Sequence, residues 1–283
     1  MPLAKKIYLK MGVLPIRRHY YEPFFDPACL NRPLAEDRVL PGIDLQEKHQ
    51  LDMLDTLNYR DELLSFPYEN DGSRNFCYHN DFFAPGDAEF LYAMIRYYRP
   101  RRIIEVGSGN STLMMLNALA ANRKNDSGYE CDLTCVEPYE VSWLEELGIS
   151  VLRTRVEEMD VDLFSSLESG DILFIDSSHV IKPQGDILYL YLQVLPLLQS
   201  GVFVHIHDIT TPRDYFHSWV VDKLQLWNEQ YILEAFLSLN RDFKIVAALN
   251  FLKHHHFERL AVVCPILAQK PDSEPGSFWL RRL

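Results

Sequence analysis

Two short stretches hold the side chains with the clearest chemical use: Asp176-Ser177-Ser178-His179 and His205-Ile206-His207-Asp208. Each follows an apolar run of strand type, so in a parallel sheet the two acids would stand at adjacent strand ends. Carboxylates so placed suit a divalent cation, which prefers oxygen ligands. A cation there would hold and acidify a substrate hydroxyl. Asp176, His207 and Asp208 are the expected metal ligands, and Asp176, Asp208 and His179 the expected catalytic residues. His179 lies three residues beyond Asp176, where a neutral imidazole could take the hydroxyl proton. Lys182 is a second candidate base. One of His205 and His207 is expected to be buried and only hydrogen-bonded; His205 is the choice. Blander readings stand beside these: Asp176 as a structural or cofactor-side acid, His179 as a residue that only gates the pocket. Tyr78-His79-Asn80-Asp81 is expected to reach the same edge.

A second constellation runs from Arg101 to Thr112, with Glu105-Val106-Gly107-Ser108-Gly109-Asn110-Ser111 at its centre. Two glycines let the backbone turn and approach a ligand without a Cβ in the way. The amides that enter a helix at Ser111 favour a negative or polar group. A dinucleotide fingerprint would place a third glycine at Thr112, so that fingerprint is broken. Glu105 at the mouth of the strand suits a ligand with a cationic amino-acid end. Glu137, ending the next strand, is placed to bind ribose hydroxyls. Glu157 or Glu158 could face an adenine amino group, although acids are equally common on exposed loops.

These residues need a scaffold that puts strand ends side by side. Strands are expected at 102–106, 133–137, 150–154, 171–176, 201–208, 243–249 and 260–266. Helices are expected after Asp87 and at 111–122, 141–147, 159–167, 187–198 and 218–239, the last being the longest. Strands that alternate with helices imply a doubly wound parallel sheet with right-handed crossovers. The last two strands, joined only by a loop, should pair antiparallel. That gives an α/β fold: a mostly parallel, seven-stranded, Rossmann-like sheet with a terminal antiparallel hairpin. His254-His255-His256 falls in the hairpin loop, where three adjacent imidazoles do not easily converge on one ion. Residues 1–75 lack the strand–helix rhythm. They carry turn formers, interleaved aromatics (His19, Tyr20, Tyr21, Phe24, Phe25) and a helical pattern over 45–64. They read as an arm or lid over a domain at 76–283. Arg213 and Tyr215 are expected to line the acceptor pocket; Trp227 and Tyr231 read as a packed helix face.

At these motifs the sequence resembles the class I S-adenosylmethionine-dependent methyltransferases, over roughly residues 76–265. Glu-Val-Gly-Ser-Gly-Asn-Ser-Thr is similar to their first motif and Cys-Val-Glu-Pro-Tyr to their second. Phe-Ile-Asp-Ser-Ser-His and Val-His-Ile-His-Asp resemble the ends of their fourth and fifth strands. The resemblance extends to bacterial methyltransferase-like proteins of poorly defined substrate. It implies S-adenosylmethionine as cofactor, contacted by Glu105, Gly107, Gly109 and Glu137, with help from Ser108, Asn110 and Ser111; Glu157 completes the expected set. The layout is also similar to catechol-type O-methyltransferases, which place metal ligands at the same two strand ends. In those a lysine matches His179, and asparagine follows the strand-5 acid; here Ile209 follows Asp208. Mg2+ or another divalent cation is therefore an expected second cofactor.

The formal net charge of −12 argues against nucleic acid, which demands a basic stripe, and against an anionic membrane surface. No apolar run approaches the ~20 residues of a membrane span. No leader-like apolar core is seen near the start, and a cytoplasmic protein is the expectation. Five scattered cysteines read as reduced buried thiols. The expected partner is a small-molecule acceptor, a hydroxyl on a small molecule or sugar. The arm's aromatics could equally serve a homo-oligomer interface. Alternatives are a metal-dependent hydroxylase-like enzyme on the same fold and a non-catalytic cofactor-binding module.

Overall fold

The computed structural model describes residues 3–19, 21–139 and 141–283, so Tyr20 lies outside the described residues. An outlying helix α1 (Leu3–Lys10) begins the chain, and α2 (Glu47–Leu54) and α3 (Arg60–Leu64) follow. The helical pattern over 45–64 is thus two helices. The chain then runs α4 (Asp87–Tyr98), β1 (Arg102–Val106), α5 (Asn110–Asn125), β2 (Asp132–Val136), β3 (Ser150–Leu152), α6 (Asp162–Ser165), β4 (Ile172–Ile175), α7 (Asp186–Tyr189) and β5 (Phe203–Ile206). After these come α8 (Glu229–Leu237), β6 (Phe243–Ala248), α9 (Leu249–His255), α10 (Phe257–Val263), α11 (Pro265–Gln269) and β7 (Phe278–Arg282).

The seven strands form one sheet in the order β3-β2-β1-β4-β5-β7-β6. The first five are parallel, and β7 runs antiparallel between β5 and β6. Strands β1, β4 and β5 are almost wholly apolar and buried, as strands covered on both faces must be. The strand order reverses between β1 and β4, the switch point of the sheet. Asp87 opens α4 as expected, and β1 and the helix after the glycines fall where they were read.

The end of the chain departs from expectation. Residues 260–266 are helical, and the seventh strand is Phe278–Arg282. The antiparallel pair exists, but three helices join it rather than a loop. Leu260-Ala-Val-Val-Cys-Pro-Ile is a short apolar run, which periodicity cannot assign to strand or buried helix. Pro265 starts α11 rather than ending a strand, since a missing N–H costs nothing at a helix start. His254, His255 and His256 close α9 instead of lining a loop, and each pairs with a different carboxylate, Glu274, Asp37 and Glu47. The long helix expected at 218–239 is broken: one turn at Ser218–Asp222, an irregular stretch, then α8. Of the five free cysteines, Cys29 is exposed, contrary to expectation, and the other four are buried.

The arm is fastened to the segment that follows β5. Arg38 donates to the carbonyls of Pro212 and Arg213 and pairs with Glu234. Arg32 pairs with Asp214, and Asp37 with Arg213. Further along, α2 packs on β6 and α10, and α3 on α11. No helix among the described residues is long and apolar enough to cross a membrane.

Candidate active site

The residue just past each strand extends the ladder. Gly107 N–H donates to Val136 O (3.1 Å), Asp176 N–H to Val106 O (2.8 Å), Glu137 N–H to Leu152 O (3.1 Å) and His207 N–H to Ile175 O (2.9 Å). Strand tips are thereby held in register, and the groups they carry line one edge. Gly107 has φ 78°, and a Cβ there would stand 1.8 Å from Asp176 O, so only glycine lets the tips of β1 and β4 touch. Gly109 is different: a Cβ there meets no protein atom within 4 Å, so this position looks into open space over the turn.

Glu105 lies beneath that turn. Its side chain is fully buried and accepts from Ser111 Oγ (2.6 Å), Thr112 Oγ1 (2.6 Å) and Cys135 Sγ (3.1 Å). Burial pushes its carboxyl up to about 7, against the pull of those donors. In the structure this side chain ties β1 to the first turn of α5. Thr112, where a dinucleotide fold has glycine, uses its hydroxyl twice, accepting from Gly109 N–H (2.9 Å) and donating to Glu105. Asn110 and Ser111 open α5. Glu137 stands at the tip of β2 and accepts from the N–H groups of Ser108 (3.3 Å) and Tyr139 (3.0 Å). Glu157 lies in the turn after β3, 3.5 Å from Arg155.

On the other side of the switch point, ligand-type atoms of Asp176, His179 and Asp208 all lie within 4.8 Å of one another. His179 Nε2 is 3.3 Å from Asp176 Oδ1 and 3.7 Å from Asp208 Oδ2. His179 and Asp208 both hold left-handed backbones at φ 57°, which fold their segments back into the site. Ser178 secures the first bend by donating its N–H and hydroxyl to Asp186. Gly276 leaves room for the second, since a Cβ there would be 2.9 Å from Asp208 Cα.

His179, rather than the expected His207, forms the close trio with Asp176 and Asp208. His207 stands behind the acids, buried, with Nδ1 3.4 Å from Asp176 Oδ2 and 3.6 Å from Asp208 Oδ1. Asp87 Oδ2 lies 3.4 Å from its other nitrogen, and Phe83 packs on its ring. His205 is buried, bonded to Ser277 Oγ (2.8 Å) and stacked on Phe174, but the expected contrast fails: His207 is buried too and lies on the same face, since residues two apart on a strand share one. Burial and the neighbouring His207 keep His205 neutral. Of Tyr78–Asp81, Asn80 caps the turn that carries Phe83, while His79 pairs with Glu69 away from the acids. Lys182 sits on the exposed loop beyond the trio. Arg213 is taken up by Asp37, and the buried Tyr215 hydroxyl accepts from Gln230 N–H, so neither is a free acceptor contact.

Charge in the cluster is strongly redistributed. Burial alone would lower His179, but Asp176 and Glu229 outweigh it and push the imidazole up to about 10. The neutral base expected from the sequence is thus an imidazolium at neutral pH while the carboxylates beside it are charged. Asp176 is held far below the usual carboxylate range by His207 and His179, which override burial. Asp208 moves the other way, because burial and the Asp176 charge prevail over His207. Sequence reasoning missed Glu229 and Asp87. Both are long-range partners with no local signature.

The two partly exposed carboxylates of Asp176 and Asp208 fit a hard divalent cation, with His179 Nε2 beside them. The turn fits a nucleoside ligand, with open space above Gly109 and a carboxylate at the adjoining tip of β2.

A family described as a methyltransferase domain matches residues 104–209, which span β1 through Ile209. A protein of Archaeoglobus fulgidus, itself uncharacterized, is 32% identical over 170 residues, covering 54% of this chain and 74% of the relative. The chain carries a methyltransferase domain. Two solved structures are similar over most of the chain. One is CmcI D160 with Mg and S-adenosylmethionine: 16% identity, 79% of this chain and 84% of that one, TM-score 0.42. The other is an O-methyltransferase from Bacillus cereus in complex with S-adenosylhomocysteine: 12% identity, 83% and 90% coverage, TM-score 0.40. A cleft of about 600 Å3 beside Gly42, Leu239, Phe243 and Lys244 lies at the β6 edge of the sheet, away from the glycine turn and the acids.

Proposed function

We propose that this methyltransferase transfers its methyl group to a hydroxyl oxygen of a small molecule or sugar, with a divalent cation held by Asp176 and Asp208. One observation carries the reading. The glycine turn and the acid cluster share a backbone contact at Gly107 and Asp176, so a sulfonium over the turn and an oxygen at the acids would be neighbours. The acceptor oxygen attacks the methyl carbon in line, the carbon–sulfur bond breaks, and the sulfonium becomes the neutral thioether of S-adenosylhomocysteine. Orientation of the two reactants supplies most of the rate. The cation, when bound, supplies Lewis acidity toward the acceptor hydroxyl.

His179 Nε2 is the proton acceptor in this reading. The charges of Asp176 and Glu229 hold a proton on it, and neutralising Asp176 with a cation would favour the free imidazole. Glu105, Ser111 and Thr112 keep the turn rigid; Glu137 faces the ribose side. The arm pinned at Arg32, Asp37 and Arg38 covers the segment after Asp208 and helps exclude water.

The test is calorimetric titration with S-adenosylhomocysteine, with and without MgCl2, followed by transfer of labelled methyl to a panel of hydroxylated acceptors. Binding of S-adenosylhomocysteine and label on an oxygen are expected. If the nucleoside does not bind, or label appears only on nitrogen or carbon, the reading is wrong.

A further inference from the structure

We infer that Glu229 is a positioning residue for the reaction: it fixes the ring orientation and tautomer of His179 so that Nε2, not Nδ1, faces the reacting hydroxyl. The inference rests on the role proposed above for His179. Glu229 opens α8, is fully buried, and its Oε2 lies 2.8 Å from His179 Nδ1. Its other oxygen accepts from Tyr191 Oη at 3.2 Å, so the carboxylate has little freedom to turn. A carboxylate can only accept here, so Nδ1 must carry the hydrogen and the lone pair of a neutral imidazole falls on Nε2. Nε2 is the nitrogen that points at Asp176 and Asp208.

The residues around Glu229 hold the rest of His179. The N–H groups of Asn228 and Glu229 both donate to His179 O (2.9 and 3.2 Å). Asn228 Oδ1 accepts from Ile181 N–H (2.7 Å), and Trp227 lies against the imidazole with ring centroids 4.4 Å apart. Trp227-Asn228-Glu229 therefore grips one histidine by face, backbone and nitrogen. This grip accounts for the break in the helix expected at 218–239. An unbroken helix would commit the N–H groups of 228 and 229 to carbonyls four residues earlier. The break frees them for His179. The arrangement is that of a base oriented by a buried acid, built from a strand-end loop and a helix N-terminus.

The experiment uses full-length protein with histidine nitrogens labelled by 15N, with MgCl2 and S-adenosylhomocysteine present, and NMR correlation of ring nitrogens to ring protons. His179 is assigned by its absence in His179→Asn. Wild type is expected to show one state with hydrogen on Nδ1. Glu229→Gln, whose amide oxygen still accepts, is expected to keep it. Glu229→Met, of similar volume without an acceptor, is expected to lose it to a mixture of tautomers. If wild type carries hydrogen on Nε2 alone, or Glu229→Met matches wild type, the inference is overturned. If Glu229→Met does not fold, the Gln variant decides: a tautomer changed from wild type there also overturns it. If no cation binds, both nitrogens keep their hydrogens in wild type; that counts against the cation, while loss of the Nδ1 hydrogen in Glu229→Met still supports the positioning role.

Discussion

The backbones of Gly107 and Asp176 meet so closely that a Cβ on the glycine would stand 1.8 Å from the aspartate's carbonyl oxygen. Cofactor turn and acid cluster are thus fixed to one another through main chain. Replacing Gly107 by alanine has to separate β1 from β4 and also strains a left-handed residue. Overpacking of this kind costs about 1–3 kcal/mol, before backbone strain is added. Gly107→Ala is expected to lower the unfolding free energy by about that much or more and to abolish S-adenosylhomocysteine binding. Gly109→Ala, facing open space, should leave stability within ~0.5 kcal/mol, as for a substitution away from packed features, yet weaken the nucleoside. Thermal unfolding and calorimetry on the pair check this; equal stability losses would contradict it.

Glu105 makes stability depend on pH. Its carboxyl sits near 7 when folded against the usual 4.5, raised by burial. Below pH 4.5 both states are protonated and the contribution is whole. Between 4.5 and 7 the unfolded chain releases its proton while the folded one keeps it, so stability falls as pH rises. The loss is complete above 7 and amounts to roughly 3 kcal/mol. Glu105→Gln should remove this slope. Denaturant titrations of both proteins from pH 4 to 8 decide, and parallel curves would refute the assignment.

Asp208→Ala is expected to cut methyl transfer about 100-fold or more, the scale of losing one electrostatic stabiliser of a transition state. It should barely move affinity for S-adenosylhomocysteine, because Asp208 lies on the acceptor side of the switch point. A chelator should reproduce the loss in wild type and add nothing to the variant. Unchanged turnover in both experiments would dismiss the cation.

Arg38 is mostly buried and meets Glu234, Pro212 and Arg213. Arg38→Ala strands a buried carboxylate, and breaking such a pair costs about 3–5 kcal/mol. Arg38→Met should cost less than alanine, since it keeps the packing of the stem. Guanidinium denaturation of the two variants measures the difference. Stability at the wild-type level in both would mean the arm is not secured here.

The parts that could be read from the sequence were those coded locally. An apolar run ending in Gly107-Ser-Gly109 fixes β1, the turn and α5 within one short stretch. Asp176 and Asp208 could be placed because each closes a strand whose apolar run announces it. What escaped depends on distant contacts. Glu229 gains its role only when α8 swings against the loop after β4, and Asp87 only when β7 arrives. The exchange of His207 for His179 follows from left-handed turns at His179 and Asp208, which no residue type there signals. The arm's attachment through Arg38 spans more than 170 residues of sequence, so no local pattern could reveal it.

Strand β7 lies between β5 and β6 although it is the last of the seven to be synthesised. Until residues 278–282 emerge, two apolar strands present open hydrogen-bonding edges, the condition under which chains adhere to one another. A chain that stops before residue 278 would therefore carry a gap in the middle of its sheet, not a frayed margin. The same closure can be supplied from outside: a peptide of the sequence Ser277–Leu283 offered in trans should rescue a chain cut before Gly276, turning the final strand into a handle for controlling assembly.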